Sequence, residues 1–365
     1  MVLFRIACLI GLLVSLPTLA CALELPPHYP AFYRDVIMAG RMEGKVVLYT
    51  TVGRGMAEPL VHDFRMLYPD IRVELNEVKP RELYERFRKE VDAGSPSGDV
   101  IWSSAMDLQM RLVSDGYAQT YMAPDTPKLP AWAVFRDLAW SITLDPIVFI
   151  YNKQLISEEI VPKTHIQIVR LIREQPEILK GRVGITDPEK NSLALLLLGK
   201  DASIWPHIWD LAAALGRTEV KAFDSTNLTI DLVSEGRLAF AYNAVGSYAL
   251  LKQRRAPDLM IVYPKDYILA YSKIAFISKS ARQPNAAKFL VDYLLSQRGQ
   301  LAMAERAQLF PVRNDIEGRS TARMLTHEMG ERLKPIAMDY SPSDSTEENQ
   351  RRLLLRRWNA STNWK

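Results

Sequence analysis

Residues 45–75 read KVVLYTTVGRGMAEPLVHDFRMLYPDIRVEL, and this stretch decides the fold. Lys45–Thr51 is a β-branched, apolar run bounded by Gly44 and Gly53, the mark of a buried strand. Met56–Tyr68 places Leu60, Val61, Phe64 and Leu67 at helical spacing, and Asp70–Asn76 alternates as a second strand. A strand, a helix and a strand so close together predict a parallel pair with the helix packed on one face.

Working outward, the pattern continues. Glu82–Ala93 carries Leu83, Phe87 and Val91 on one stripe, Gly98–Trp102 is a third strand, and Asp107–Asp115 a third helix. Ala139–Tyr151 is strand-rich and interrupted at Asp145-Pro146. The alternation then restarts, with strands at Val183–Thr186, Val220–Phe223 and Leu238–Tyr242 separated by helices. A second extended stretch, Met260–Ile277, precedes helices at Asn285–Gln297 and Arg298–Arg306. Two long extended stretches between two α/β repeats predict two lobes joined by two crossovers. The expected division is 23–144 for the first part of lobe one, 145–265 for lobe two, and 266–365 for the return to lobe one and a C-terminal tail. A chain beyond the ~250–300 residues at which single cores stop growing agrees with two lobes.

The N-terminus reads as an export signal over residues 1–22. Arg5 precedes the apolar run Ile6–Leu16, and Ala20-Cys21-Ala22 supplies a small-residue cleavage site. The run is shorter than the ~20 residues that span a bilayer. A periplasmic location follows, with lipid anchorage at Cys21 as the alternative. Cys8 and Cys21 are the only cysteines, so cleavage leaves a chain stabilised without disulfides. The near balance of 46 basic and 42 acidic residues argues against a nucleic-acid partner. The cluster Arg351, Arg352, Arg356 and Arg357 reads as a solvated helix face.

Few catalytic motifs are present. Gly53-Arg54-Gly55 is half of a dinucleotide fingerprint, with Glu58 in place of the third glycine. Two readings stay open for it: a turn whose backbone N–H groups meet an anion, or a plain strand-to-helix turn. His327-Glu328 begins a zinc-binding pattern that Glu331 breaks. No nucleophile elbow or phosphate loop occurs, and no cofactor is expected.

Several ordered pieces then carry a resemblance: the opening stretch, SGDVIWSSAMDLQMRLVSDGYAQTY (97–121), VFIYNKQLI (148–156), VGITDPEKNSLALLLL (183–198), GRLAFAYNAVGSYALL (236–251) and residues 262–300. In this order they resemble family 1 extracellular solute-binding proteins of ABC transporters, in the branch of ferric-ion and phosphorylated-compound receptors. The resemblance implies an α/β, two-lobed type-2 periplasmic-binding fold with two crossover strands and a central ligand cleft. It implies a monomeric, non-enzymatic receptor whose partners are a small-molecule solute and a transporter permease at the inner membrane. The ferric members use a His, a Glu and a Tyr-Tyr pair. The matching positions here hold Val52-Gly53-Arg54, Ser103-Ser104 and the single Tyr248, so ferric binding is not expected.

Thr50, Thr51, Gly53, Arg54, Ser103, Ser104, Asn243, Ser247 and Tyr248 lie near expected strand ends, where open α/β sheets bind ligands. With Asp187 as an orienting group, they suit an oxygen-rich, anionic solute such as a phosphorylated sugar or a phosphonate. The turn or N-cap use of Ser, Thr and Asp stays open at each position. The rival readings are a secreted hydrolase on the same fold and a receptor feeding a membrane sensor kinase.

Overall fold

The structure, a computed structural model, describes residues 29–31, 33–318, 320–338 and 344–363. The expected export signal, with both cysteines, lies outside the described residues. No helix among the described residues is long and apolar enough to cross a membrane.

The first lobe begins with α1 (Tyr33–Glu43), β1 (Lys45–Thr50), α2 (Arg54–Leu67), β2 (Arg72–Glu77), α3 (Pro80–Asp92), β3 (Val100–Ser103) and α4 (Met106–Ser114), followed by β4 (Val134–Phe135) and β5 (Ala139–Ser141). β6 (Asp145–Asn152) crosses to the second lobe. There α5 (His165–Glu174), α6 (Pro176–Leu179), β7 (Val183–Thr186), α7 (Ser192–Ile204), α8 (Ile208–Arg217), β8 (Lys221–Phe223), α9 (Thr226–Ser234), β9 (Phe240–Val245), α10 (Gly246–Gln253), β10 (Leu259–Val262) and β11 (Ile268–Tyr271) follow. β12 (Ile274–Ile277) returns, with α11 (Pro284–Leu295) and α12 (Gln297–Ala302) behind it. The chain ends through α13 (Ala322–Met329), β13 (Leu333–Pro335) and α14 (Asp344–Thr362).

The first sheet runs β2-β1-β3-β12-β5-β4 and the second β13-β11-β6-β9-β7-β8, with β10 also paired to β6. β1 pairs in parallel with β2, as the opening stretch predicts, and on its other side with β3. The helical stripe of α2 buries Leu60, Val61 and Phe64 against Val46 and Leu48. Asp99, between β3 and the loop before it, accepts the Val47 N–H at 2.8 Å and the Arg282 and Gln283 N–H groups at 2.8 and 3.1 Å. One carboxylate thus fastens β1 to the start of α11.

The two crossings lie side by side. The Ile142 N–H donates to the Lys273 carbonyl at 2.9 Å and the Lys273 N–H to Thr143 Oγ1 at 3.2 Å. Lys273 Nζ meets Asp145 Oδ1 at 2.7 Å, with both side chains fully buried. The chain enters the second sheet with β6, at Asp145. The second crossing corrects the expectation of 265/266: β11 still pairs with β6 and β13, and the return begins only at β12. Pro264-Lys265-Asp266 is a loop within the second lobe, where Asp266 accepts the His165 N–H at 2.9 Å and contacts its ring Nδ1 at 3.0 Å.

The tail, which the sequence leaves unplaced, packs as α14 on α8 and α7 of lobe two, because Trp358 has a place among Ile208, Leu211 and Leu215.

Behind the first sheet, Asp292 of α11 accepts hydrogen bonds from Tyr33 of α1 and, at 2.6 Å, from Tyr121. Burial pushes its carboxyl up to about 7, with Asp125 acting in the same direction and the two tyrosines and Lys288 opposing. The folded chain therefore keeps a proton that the unfolded chain releases above its ordinary value of 3.8. The stability from this group is complete below that value and is lost as pH rises through about 7. Urea unfolding should show wild type losing stability from about pH 4 to about pH 7 relative to Asp292→Asn, by on the order of 4 kcal/mol over the whole range, with little further change above it. Parallel pH profiles for the two proteins would contradict this.

Candidate functional site

A cavity of about 810 Å³ lies between the lobes. Lobe one contributes Thr51 and Ser104 from the ends of β1 and β3, and Lys79, Pro80 and Tyr84 from the start of α3. Lobe two contributes the turn after β7, the starts of α7 and α9, and Tyr242, Asn243 and Tyr248. This is the carboxyl-end position that open α/β sheets offer to ligands.

Four helices present their starts to the cavity. The N-caps of α3, α4, α9 and α10 are Lys79, Ala105, Ser225 and Val245, all lining it, and none makes a side-chain capping hydrogen bond. An uncapped start leaves backbone N–H groups seeking an acceptor and carries the positive end of the helix macrodipole; at α4 the Asp107 carboxylate already meets the first N–H groups, its own and that of Leu108. α7 differs, since Asn191 Oδ1 accepts the Ala194 N–H at 3.0 Å. The cavity side chains include five bases, Lys79, Arg81, Arg111, Lys190 and Arg351, against three acids, Glu85, Glu189 and Asp224. Arg81 is paired with Glu85 and Lys190 with Asp187, whereas Lys79, at the start of α3, makes no ion pair among the described residues.

Of the residues singled out in the sequence, Thr51, Ser104, Asn243 and Tyr248 line the cavity. Thr51 Oγ1 lies 2.9 Å from Ser104 Oγ and accepts the Ser104 N–H at 2.7 Å. Tyr248 hydrogen-bonds to Ser104 across the lobes and is pushed upward chiefly by burial, so its hydroxyl stays protonated. Asn243 has φ +57°, a left-handed conformation that Asn tolerates. It sits where the β6–β9 register slips between Val148 and Ile150, a bulge that redirects side chains. Its amide donates to Asp201 Oδ2 at 3.0 Å.

The other six do not line the cavity. Thr50 and Ser103 are buried and accept nearby backbone N–H groups, from Val52 at 3.0 Å and Ala105 at 3.1 Å. Ser247 is buried beside Lys273 at 3.4 Å. Asp187 accepts the Glu189 N–H at 2.9 Å and shapes the turn after β7. At Gly53-Arg54 the helix start is already satisfied, because Glu77 Oε2 accepts the Arg54 N–H at 2.9 Å. The Arg54 side chain is exposed and pairs with Glu58 at 3.3 Å. Of the two readings of that turn, an internal carboxylate holds the place of an anion.

Sequence reading missed Lys79, Ser225, Tyr242 and the α14 residues Arg351 and Trp358, all of which line the cavity. Lys79-Pro80 carried a usable signal, since proline favours the first helical position. Tyr242 is held by Asp201, to which its hydroxyl donates at 2.5 Å. Burial first, then Asp201, pushes that phenol well above its ordinary value. No group of three or more His, Cys, Asp or Glu side chains able to hold a metal occurs among the described residues.

The model of the bacterial extracellular solute-binding protein family matches residues 60–322. No curated protein sequence matches the chain. Among solved structures, the substrate-binding protein of an ABC transporter from Agrobacterium tumefaciens is 31% identical with a TM-score of 0.82, covering 87% of this chain and 94% of its own. AfuA of Actinobacillus pleuropneumoniae, with exogenous fructose-6-phosphate bound, is 18% identical with a TM-score of 0.71, covering 88% and 100%. Iron-bound HitA of Pseudomonas aeruginosa is 16% identical with a TM-score of 0.67, covering 87% and 99%. The last two show the fold alone: a two-lobed α/β periplasmic-binding architecture. By the extent of the family match and the 31% identity over most of its length, the chain belongs to the bacterial extracellular solute-binding proteins.

Proposed function

We propose that the protein is a periplasmic, monomeric receptor for a small, oxygen-rich anion of the phosphorylated-sugar or phosphonate class, and that it delivers this solute to the permease of an ABC transporter. The observation that carries this reading is the convergence of three helix starts without a side-chain cap, those of α3, α9 and α10, on one interlobe cavity with excess basic side chains. Anions are favoured at helix N-termini by both the free N–H groups and the macrodipole. Asn243 and the Thr51–Ser104 pair supply neutral polar groups, and Asp224 at the rim is an acceptor for solute hydroxyls. AfuA shows that this fold accommodates a sugar phosphate.

A ferric ion suits the site poorly. The phenols of Tyr242 and Tyr271 are held protonated by burial first and by Asp201 or Asp145 second, whereas binding a hard cation requires their deprotonation. Each charge-assisted hydrogen bond is worth roughly 1.5–3 kcal/mol, so a few suffice for micromolar affinity, ~8 kcal/mol. Solute that contacts both lobes favours the closed state by its differential affinity.

Calorimetric titration with fructose 6-phosphate tests the reading. Ser104→Ala should weaken binding about tenfold, one hydrogen bond's worth. Arg54→Ala should leave it unchanged. Equal binding by Ser104→Ala, or a large loss in Arg54→Ala, would place the anion elsewhere.

A further inference from the structure

α14 lies wholly outside the family-matched residues 60–322, yet two of its side chains, Arg351 and Trp358, line the interlobe cavity. Seven positions apart, they share one helix face. The C-terminal half of α14 is fixed to lobe two. A Cβ on Gly216 of α8 would stand 2.3 Å from the Thr362 carbonyl oxygen, so the two helices meet backbone to backbone. Trp358 is 3% exposed, Arg357 stacks over the Trp209 ring at 4.2 Å, and the Asn359 amide donates to Glu189 on the cavity wall.

The N-terminal part of the helix reaches lobe one. The charge of Arg351 acts on Asp107 of α4, which also accepts a hydrogen bond from Ser192 at the start of α7. Arg351 is half-buried beside the cavity, and Asp107 is a carboxylate that its charge acts on. A guanidinium carries more N–H donors than one carboxylate can take, so an anion in the cavity can share it.

We propose that α14 is a third wall of the solute cleft, docked through Gly216 and Trp358, and that Arg351 is a solute-binding residue pairing with the anionic group. The role of Arg351 rests on the solute being an anion; the place of α14 in the cleft does not.

The test compares wild type with Arg351→Ala, Arg351→Lys and Gly216→Ala, titrated with fructose 6-phosphate and with fructose. Arg351→Ala should bind fructose 6-phosphate at least tenfold more weakly and with a shallower ionic-strength dependence, and Arg351→Lys should recover part of the loss. Alanine is a better helix former than glycine, so Gly216→Ala spares α8 itself while its methyl group forces α14 away; a several-fold loss is expected. Wild-type affinities in both Arg351→Ala and Gly216→Ala would overturn the proposal.

Hydrogen exchange on the ligand-free proteins provides an independent readout. Gly216→Ala should raise exchange in α14 and at the starts of α7 and α4, and unchanged exchange there would overturn the third wall. If wild type binds neither sugar while exchange responds as expected, the solute class and the Arg351 pairing fall and the wall stands.

Discussion

Lys273→Met should destabilise the protein by about 3–5 kcal/mol, the usual cost of leaving one member of a buried ion pair without its partner. Lys273 and Asp145 are both fully buried and 2.7 Å apart, at the point where the two interlobe connections run together. Burial holds the Lys273 ammonium below its ordinary range, and the pull of Asp145 opposes that shift. The ammonium also faces the rings of Tyr248 and Tyr271 at 5.0 and 5.2 Å, behind the floor of the cavity. Removing it strands a carboxylate whose other oxygen accepts the Thr143 hydroxyl at 2.5 Å. Adding Asp145→Asn should restore much of the loss, because no net charge then remains buried. Urea unfolding of the two single variants and the double variant checks this. Additive losses, or a loss under 1 kcal/mol in Lys273→Met, would mean that the pair does not act as a unit.

The second large effect is expected at Asp201. This residue of α7 is fully buried and accepts three hydrogen bonds: from Tyr242 at 2.5 Å, Tyr267 at 2.7 Å and the Asn243 amide at 3.0 Å. Two of these donors line the cavity. Asp201→Ala leaves three polar groups without their acceptor, at roughly 1–3 kcal/mol for each that stays buried. It also releases Asn243 from its left-handed bulge. Solute affinity should fall between tenfold and a hundredfold in titration, alongside reduced stability. Asp201→Asn, which keeps the volume and one acceptor oxygen, should lie between. Affinity in Asp201→Ala equal to wild type would show that Asn243 and Tyr242 need no such brace to hold the solute.

Much of the fold was legible because burial imposes periodicity. The α2 stripe and the β1 run are written directly in residues 45–75. The second crossing was misplaced because proline and polar residues at 264–266 mark a loop equally well within a lobe or between lobes. Only the pairing of β11 with β6 distinguishes the two. α14 was not legible as part of lobe two. Its docking depends on the absence of a side chain at Gly216, far away in sequence, and a missing Cβ leaves no pattern near the tail.

The site was legible where position alone decides. Thr51 and Ser104 follow strands that point at the cleft, and both line it. Arg54 sits at an equivalent strand end, but its helix start is met by Glu77, a tertiary contact that no local motif encodes. Conversely, Lys79, Ser225 and Val245 matter for backbone groups they leave uncapped. Reading them from sequence requires knowing which helix starts converge.

The claim that the cleft holds an anion is tested most directly by titrating wild type with fructose 6-phosphate and with fructose at low and at high salt. Micromolar binding of the phosphorylated sugar, weakened by salt as screening requires and at least a hundredfold tighter than fructose, is the expected result. Fructose binding as tightly as its phosphate, with affinities indifferent to salt, would contradict it.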